Sequence, residues 1–265
     1  MPTRSPTPAD FPSHLTVTIT PPPSQPSTKP TPNILLLLHG LGDTASSFTA
    51  FARALNLPET TCVTLQAPHP LPLDLAGFHW GDDVAFDQST GGLDMDAGFA
   101  RATRVIVDEV VRGVLVRRCG YRLREVLVLG FGQGGMVGLV AARELGKVPR
   151  VSDAEEEEGK GDKKEEAGEL AGVISIGAPY PHSGSVTGPK NRTPVLLLAG
   201  RDSAAVTDSA VQRTRNVFEF VEIHRWARKG DGMPRNREEM MPVMQFFARR
   251  LRSMQGVPEG AVEIT

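Results

Sequence analysis

The residues best placed to do chemistry are Val126-Leu-Val-Leu-Gly130-Phe131-Gly132-Gln133-Gly134-Gly135-Met136, an apolar run that enters a glycine-rich turn before helical periodicity begins. Strand, tight turn and helix in that order form the shape of a nucleophile elbow, where G-x-S-x-G lifts a serine hydroxyl above a sheet. The serine of such a turn takes positive φ, and the flanking glycines let strand and helix approach each other. Gly130 and Gly134 stand at the flanks here, but the centre is Gly132, which has no side chain and cannot form an acyl-enzyme. Gly130, Gly132 and Gly135 also satisfy the G-x-G-x-x-G spacing of a dinucleotide-binding turn. That pattern calls for an acidic residue about 20 positions on, ending the next strand. The distance falls instead in the glutamates at 155–158, which have no strand character.

Other candidates read as structural. His39 precedes Gly40-Leu41-Gly42-Asp43 at the end of an apolar run, where an imidazole orders a loop by hydrogen bonding. His224 lies inside a strand-like stretch, a poor place for a general base. Gly77-Phe-His79-Trp80-Gly-Asp82-Asp83 gathers an imidazole and two carboxylates. A metal needs three or four converging ligands, and no second cluster at ligand spacing supports one. No G-x-x-x-x-G-K-[ST] loop occurs. No cofactor and no metal are expected.

These residues need a scaffold. Short continuous apolar runs predict strands over 34–39, 62–66, 125–130, 172–176, 194–199 and 218–223, buried on both faces. Helical periodicity predicts helices over 46–55, 94–118, 134–145, 205–216 and 236–252, the last with Asn236 and Glu239 at capping-box spacing and Met240, Met241 and Met244 toward the core. Arg249, Arg250 and Arg252 read as the solvated end of that helix. Such alternation implies an α/β protein, a doubly wound, mostly parallel sheet with helices on both faces, whose ligands bind at the carboxyl ends of the strands.

The 265 residues, 40% hydrophobic, can bury one core. A net charge of -2 argues against phosphate-backbone binding, so no nucleic-acid partner is expected. The longest apolar run is too short to span a bilayer and no secretory pattern is seen, and with two isolated cysteines, Cys62 and Cys119, a cytoplasmic location is expected. Residues 1–32 read as a Pro-rich extension with one edge strand in 14–20, residues 33–252 as the domain, and 253–265 as a tail. The stretch at about 151–170 is almost purely charged and reads as a disordered acidic insertion.

Two motifs, in order, resemble a known family. Leu35-Leu-Leu-Leu-His39-Gly40-Leu41-Gly42-Asp43-Thr44 is similar to the strand and H-G-L-G-D-T loop of the acyl-protein thioesterases and carboxylesterases of the α/β-hydrolase fold, and Gly130-Phe-Gly-Gln-Gly-Gly135 to their G-F-S-Q-G-G elbow. Gln66-Ala-Pro68, the Trp80 loop, Thr193-Pro-Val-Leu196 and Glu239-Met-Met are further echoes. The resemblance implies an α/β-hydrolase fold, with an oxyanion hole built from the backbone N–H groups of Leu41 and Gln133 beside Gly40, and with Trp80 over the acyl pocket. It places Gly132 at the nucleophile. It puts Asp202 one residue from the acid position, which falls on Ser203, and Arg235 near the place of a lost histidine. Arginine stays protonated and cannot serve as the base.

The expectation is therefore a thioesterase-like homologue without serine-hydrolase catalysis. It would bind an acyl, lysolipid or lipidated-peptide ligand, or a protein partner. Two alternatives stay open: an active ester or thioester hydrolase with a non-standard site, such as Asp202 with a positioned water or Ser203, and a scaffold acting through the acidic insertion.

Overall fold

A computed structural model describes residues 2–23, 30–73, 75–86, 91–147 and 168–254. The chain runs β1 (Val17–Thr20), β2 (Asn33–Leu38), α1 (Ala45–Leu55), β3 (Thr60–Leu65), β4 (His69–Pro70), β5 (Phe78–His79), α2 (Ala100–Arg104), β6 (Val126–Phe131), α3 (Gln133–Leu145), β7 (Gly172–Ile176), β8 (Val195–Ala199), α4 (Asp208–Val217), β9 (Val221–Arg225) and α5 (Arg237–Arg250). The central sheet has the order β1-β3-β2-β6-β7-β8-β9, and every pairing is parallel except β1 on β3. β4 and β5 form a separate antiparallel pair.

The two faces of the sheet follow from the strand period of two. Leu36, Leu38, Val128 and Leu197 enter one apolar cluster with residues of α3, α4 and the segment after α2. Their neighbours Leu35, Leu37, Leu127, Leu129 and Leu198 enter the other, with Phe48 of α1 and Phe246 and Phe247 of α5. Continuous apolar strands are thus what a sheet covered on both sides demands.

Several expectations are corrected. The helix expected from Asp94 begins at Ala100, because Gly98 takes φ +77 and the Asp82 carboxylate accepts the Ala100 and Arg101 N–H groups, which makes the start there. It then continues as a π-helix, Val105–Arg118. Residues 2–23 carry the edge strand β1 and pack on the domain: the Arg4 N–H donates to the Cys119 carbonyl and Phe11 is buried in the core. Of the three methionines on α5, Met240 packs against the core, while Met241 and Met244 are exposed. Asn236 caps α5 as expected, its side-chain oxygen accepting the Glu239 N–H. The acidic stretch from 151 to 167 lies outside the described residues. No helix among the described residues is long and apolar enough to cross a membrane.

Candidate functional site

The turn at the end of β6 is built by close approach. A β-carbon on Gly130 would lie 2.3 Å from the Gly134 carbonyl oxygen, and one on Gly134 would lie 2.3 Å from the Leu38 oxygen. One on Gly135 would strike the Ser175 hydroxyl at the same distance. No real side chain tolerates such contacts, so α3 crosses β2 and β6 only because these positions are glycine. Their spacing is accounted for by strand-helix packing, with no appeal to a nucleotide.

Gly132 differs. It adopts φ 52 and ψ -121, donates its N–H to the Ile176 carbonyl at 2.8 Å, and accepts from Gly135 and Met136. The dihedral angles are those of a strained elbow residue, rarely populated by any L side chain. Space is less restrictive: a β-carbon there would meet only the Met95 terminal methyl, at 3.0 Å. The turn thus has positive φ at its centre and a glycine in that place.

Around it stands the loop after β2. A β-carbon on Gly40 would lie 2.7 Å from the Phe131 ring, so this loop lies directly against the elbow. Among the described residues, the backbone N–H groups of Leu41 and Gln133 donate to no protein acceptor. The buried Gln133 side chain fixes the surroundings: its oxygen accepts the Trp80 N–H at 2.7 Å, and its amide donates to the Met95 carbonyl at 3.3 Å. The structure thus sets Gly40 against Phe131 and the Trp80 N–H on the Gln133 side chain, the two residues that flank Gly132 in the chain.

Trp80 departs from its expected part. Its ring is enclosed in the core at 1% exposure and its indole N–H donates to the His39 carbonyl at 2.8 Å, so it buttresses the loop instead of presenting a wall. His39 completes that brace. Its Nε2 accepts the Ala67 N–H at 2.9 Å while Nδ1 donates to the Gly40 carbonyl at 2.8 Å, a neutral tautomer with both nitrogens engaged. Burial lowers its pKa below the ordinary histidine value, against the opposing pull of the Gly40 carbonyl and Asp43.

The ends of β8 and β9 meet on the other side of the elbow. Asp202 is exposed and accepts the Gly230 N–H at 2.9 Å, which holds its carboxyl below the usual range. Ser203 donates its hydroxyl to Asp231 at 2.7 Å and accepts the Val206 N–H. The second Asp231 oxygen accepts the Gly200 N–H. A β-carbon on Gly177 would lie 2.9 Å from the Asp231 β-carbon and 3.7 Å from the Phe131 ring, so Asp231 stands beside the elbow. Arg235 does not join this group. It is exposed at the start of α5, where its N–H donates to Glu239.

Two residues escape sequence reasoning. Asp231 lies within the stretch searched for a histidine, in Gly230-Asp-Gly232, where a lone carboxylate between glycines reads as an ordinary turn. Arg228 shapes that turn by donating to the Gly230, Gly232 and Met233 carbonyls and pairing with Glu239 at 2.8 Å. His224 sits exposed on edge strand β9, edge-on to Trp226. No group of three or more His, Cys, Asp or Glu able to hold a metal occurs among the described residues. Near His79, the Asp82 and Asp83 carboxylates accept backbone N–H groups instead.

Comparison with known proteins bears on the fold. Residues 24–148 match the model of the phospholipase/carboxylesterase family. An uncharacterized hydrolase of Schizosaccharomyces pombe is 28% identical over 239 residues, 88% of this chain and 89% of that protein. An uncharacterized hydrolase of Mycosarcoma maydis is 38% identical over 109 residues, 40% of each. Among solved structures, esterase PE8 matches with a TM-score of 0.64 at 18% identity, over 89% of this chain and 99% of that one. Acyl-protein thioesterase 2 of Zea mays matches with 0.59 at 19% identity over the same shares. The chain has the α/β-hydrolase fold, and over residues 24–148 it carries the phospholipase/carboxylesterase pattern.

Proposed function

We propose that this protein is a non-hydrolytic relative of the carboxylesterases and thioesterases that holds the carbonyl or carboxylate end of an acyl ligand without cleaving it. The observation that carries this reading is Gly132, which keeps an elbow backbone with nothing to attack from it while the Leu41 and Gln133 N–H groups remain without an acceptor. Two N–H groups without acceptors, one of them at the start of α3, would favour an oxygen bearing negative charge if they converge as in an oxyanion hole. Among the described residues no histidine hydrogen-bonds to Asp202, Ser203 or Asp231. His39 is fully engaged, and Ser203 and Asp231 form a hydroxyl–carboxylate pair with no imidazole between them.

The Ser203–Asp231 bond favours one second reading, a hydrolase whose nucleophile is Ser203. The Val206 N–H already occupies a lone pair of that hydroxyl, which blunts it as a nucleophile. The two readings part in a titration of the labelled protein with a short acyl thioether, a thioester mimic that cannot be cleaved, followed by the thioester itself. Saturable shifts of the Leu41 and Gln133 amide resonances with no thiol release support the binding reading. Thiol release abolished by Ser203→Ala would install the hydrolase instead.

A further inference from the structure

His69 and His79 stand directly opposite each other on the β4–β5 ladder, with ring centroids 5.3 Å apart. The ladder is two residue pairs long, and its second pair includes Pro70, which has no N–H to donate. The Leu71 N–H adds one bond, to the Gly77 carbonyl at 3.0 Å. A hairpin closed by so few bonds can open locally while the central sheet stays folded. β5 also backs the loop after β2. The Phe78 carbonyl accepts the Gly42 N–H at 2.9 Å, and the Phe78 N–H donates to the Asp43 carbonyl at 3.1 Å. Gly77 takes φ +97, and a β-carbon there would lie 2.1 Å from the Gly42 oxygen. Directly after β5, the Trp80 N–H reaches the Gln133 side chain. The hairpin is therefore tied to the 40–43 loop through β5.

Closed, the hairpin suits two neutral rings. An imidazolium donates from both ring nitrogens, yet Nδ1 of His79 is buried with no hydrogen-bond partner, in a residue 6% exposed. Arg101 of α2 faces both rings and opposes their charging, as each ring does the other's. Asp82 favours a charge on His69, and Asp83 and the Gly81 backbone favour one on His79. Both carboxylates are already engaged, Asp82 with the Ala100 and Arg101 N–H groups and Asp83 with that of Val84. Burial outweighs them, so both histidines lie below the ordinary value. Rings released into water take up protons more readily than rings in the closed pair, so the closed form is favoured above about pH 6.5 and loses that advantage as pH falls. We propose that the β4–β5 hairpin is an acid-released clip: charging His69 and His79 parts β4 from β5 and loosens the 40–43 loop. The clip works whatever ligand the elbow holds.

The test is amide hydrogen exchange of the full chain at pH 7.5 and 5.5, corrected for the intrinsic pH dependence of exchange, on the wild type, His69→Gln, His79→Gln and the double variant. In the wild type, protection of the Gly42, Leu71 and Phe78 amides should fall on acidification, by up to about tenfold for each histidine that titrates. The Val128 amide, in central strand β6, should fall less. The fall at Leu71 and Phe78 should shrink in each single variant and be lost in the double one. A titration of the wild type needs no variant to fold: the side-chain resonances of His69 and His79 and the amide shifts of Gly42 and Phe78 should move with shared midpoints. No fall in the wild type, a fall as large at Val128, an undiminished fall in the double variant, or amide shifts whose midpoints match neither histidine would overturn the proposal.

Discussion

The terminal methyl of Met95 lies 3.0 Å from the point a β-carbon on Gly132 would occupy. A flexible side chain thus stands where a serine hydroxyl would rise from the elbow, and the Gln133 amide holds its backbone in place. Placing a serine at position 132 should therefore give a folded but strained and inactive protein. Gly132→Ser should lose about 1–3 kcal/mol through φ +52 alone. Adding Met95→Ala should return part of it if the methyl contact contributes. Neither variant should gain esterase turnover, because among the described residues no histidine hydrogen-bonds to Asp202, Ser203 or Asp231. Denaturant melts and a chromogenic ester assay check both halves, and turnover by Gly132→Ser would reveal a base that the geometry does not show.

Glycines that look alike in sequence should respond differently. Gly130→Ala and Gly134→Ala place a methyl 2.3 Å from backbone atoms, which cannot yield without moving β6, β2 or α3. Each should cost about 3 kcal/mol or more, toward the upper end of overpacking effects. Gly132→Ala, meeting only the end of Met95, should cost less than either. Chemical denaturation of the three variants decides it, and a reversed order would contradict the packing argument.

The bond between Ser203 and Asp231 ties the loops after β8 and β9. Ser203→Ala removes that tie and the acceptor of the Val206 N–H, and should cost about 1 kcal/mol. Ligand binding at the Leu41 and Gln133 N–H groups should survive the change, since neither loop supplies those donors. A loss of binding with stability intact would give Ser203 a direct part in the site.

Stability should fall on the acid side for an identifiable reason. His39 has a folded-state pKa lowered by burial, and His69 and His79 are lowered in the same direction, chiefly by burial. The unfolded chain then binds more protons than the folded one as pH drops below about 6.5, so stability present above that value is progressively lost below it. The slope contributed by one such histidine is at most about 1.4 kcal/mol per pH unit. His39→Gln, which cannot charge, should show a shallower loss between pH 7 and 5.5 in thermal melts. An unchanged slope would mean that His39 does not titrate with unfolding.

Much of this arrangement is legible in the chain because strand burial and glycine placement are local signals. The runs around Leu36 and Val128 announce strands covered on both faces, and Gly130 and Gly134 announce a turn where backbones nearly touch. What escapes is long-range. Asp231 meets Ser203 only after β9 and the turn held by Arg228 fold back across β8, and no spacing rule reports a contact 28 residues apart. Trp80 reads as a pocket aromatic until the structure shows its indole N–H on the His39 carbonyl. The start of α2 is misread for a related reason, since the carboxylate that helps set it, Asp82, lies in another loop.

The most direct test of the central claim treats the folded wild-type protein with a fluorophosphonate probe and, in parallel, with short-chain p-nitrophenyl and thioester substrates, reading intact mass and released product together. An empty elbow at Gly132 predicts neither adduct nor turnover, alongside saturable acyl binding. A single covalent adduct accompanied by turnover, mapped by peptide analysis to Ser203 or any other residue, would contradict it.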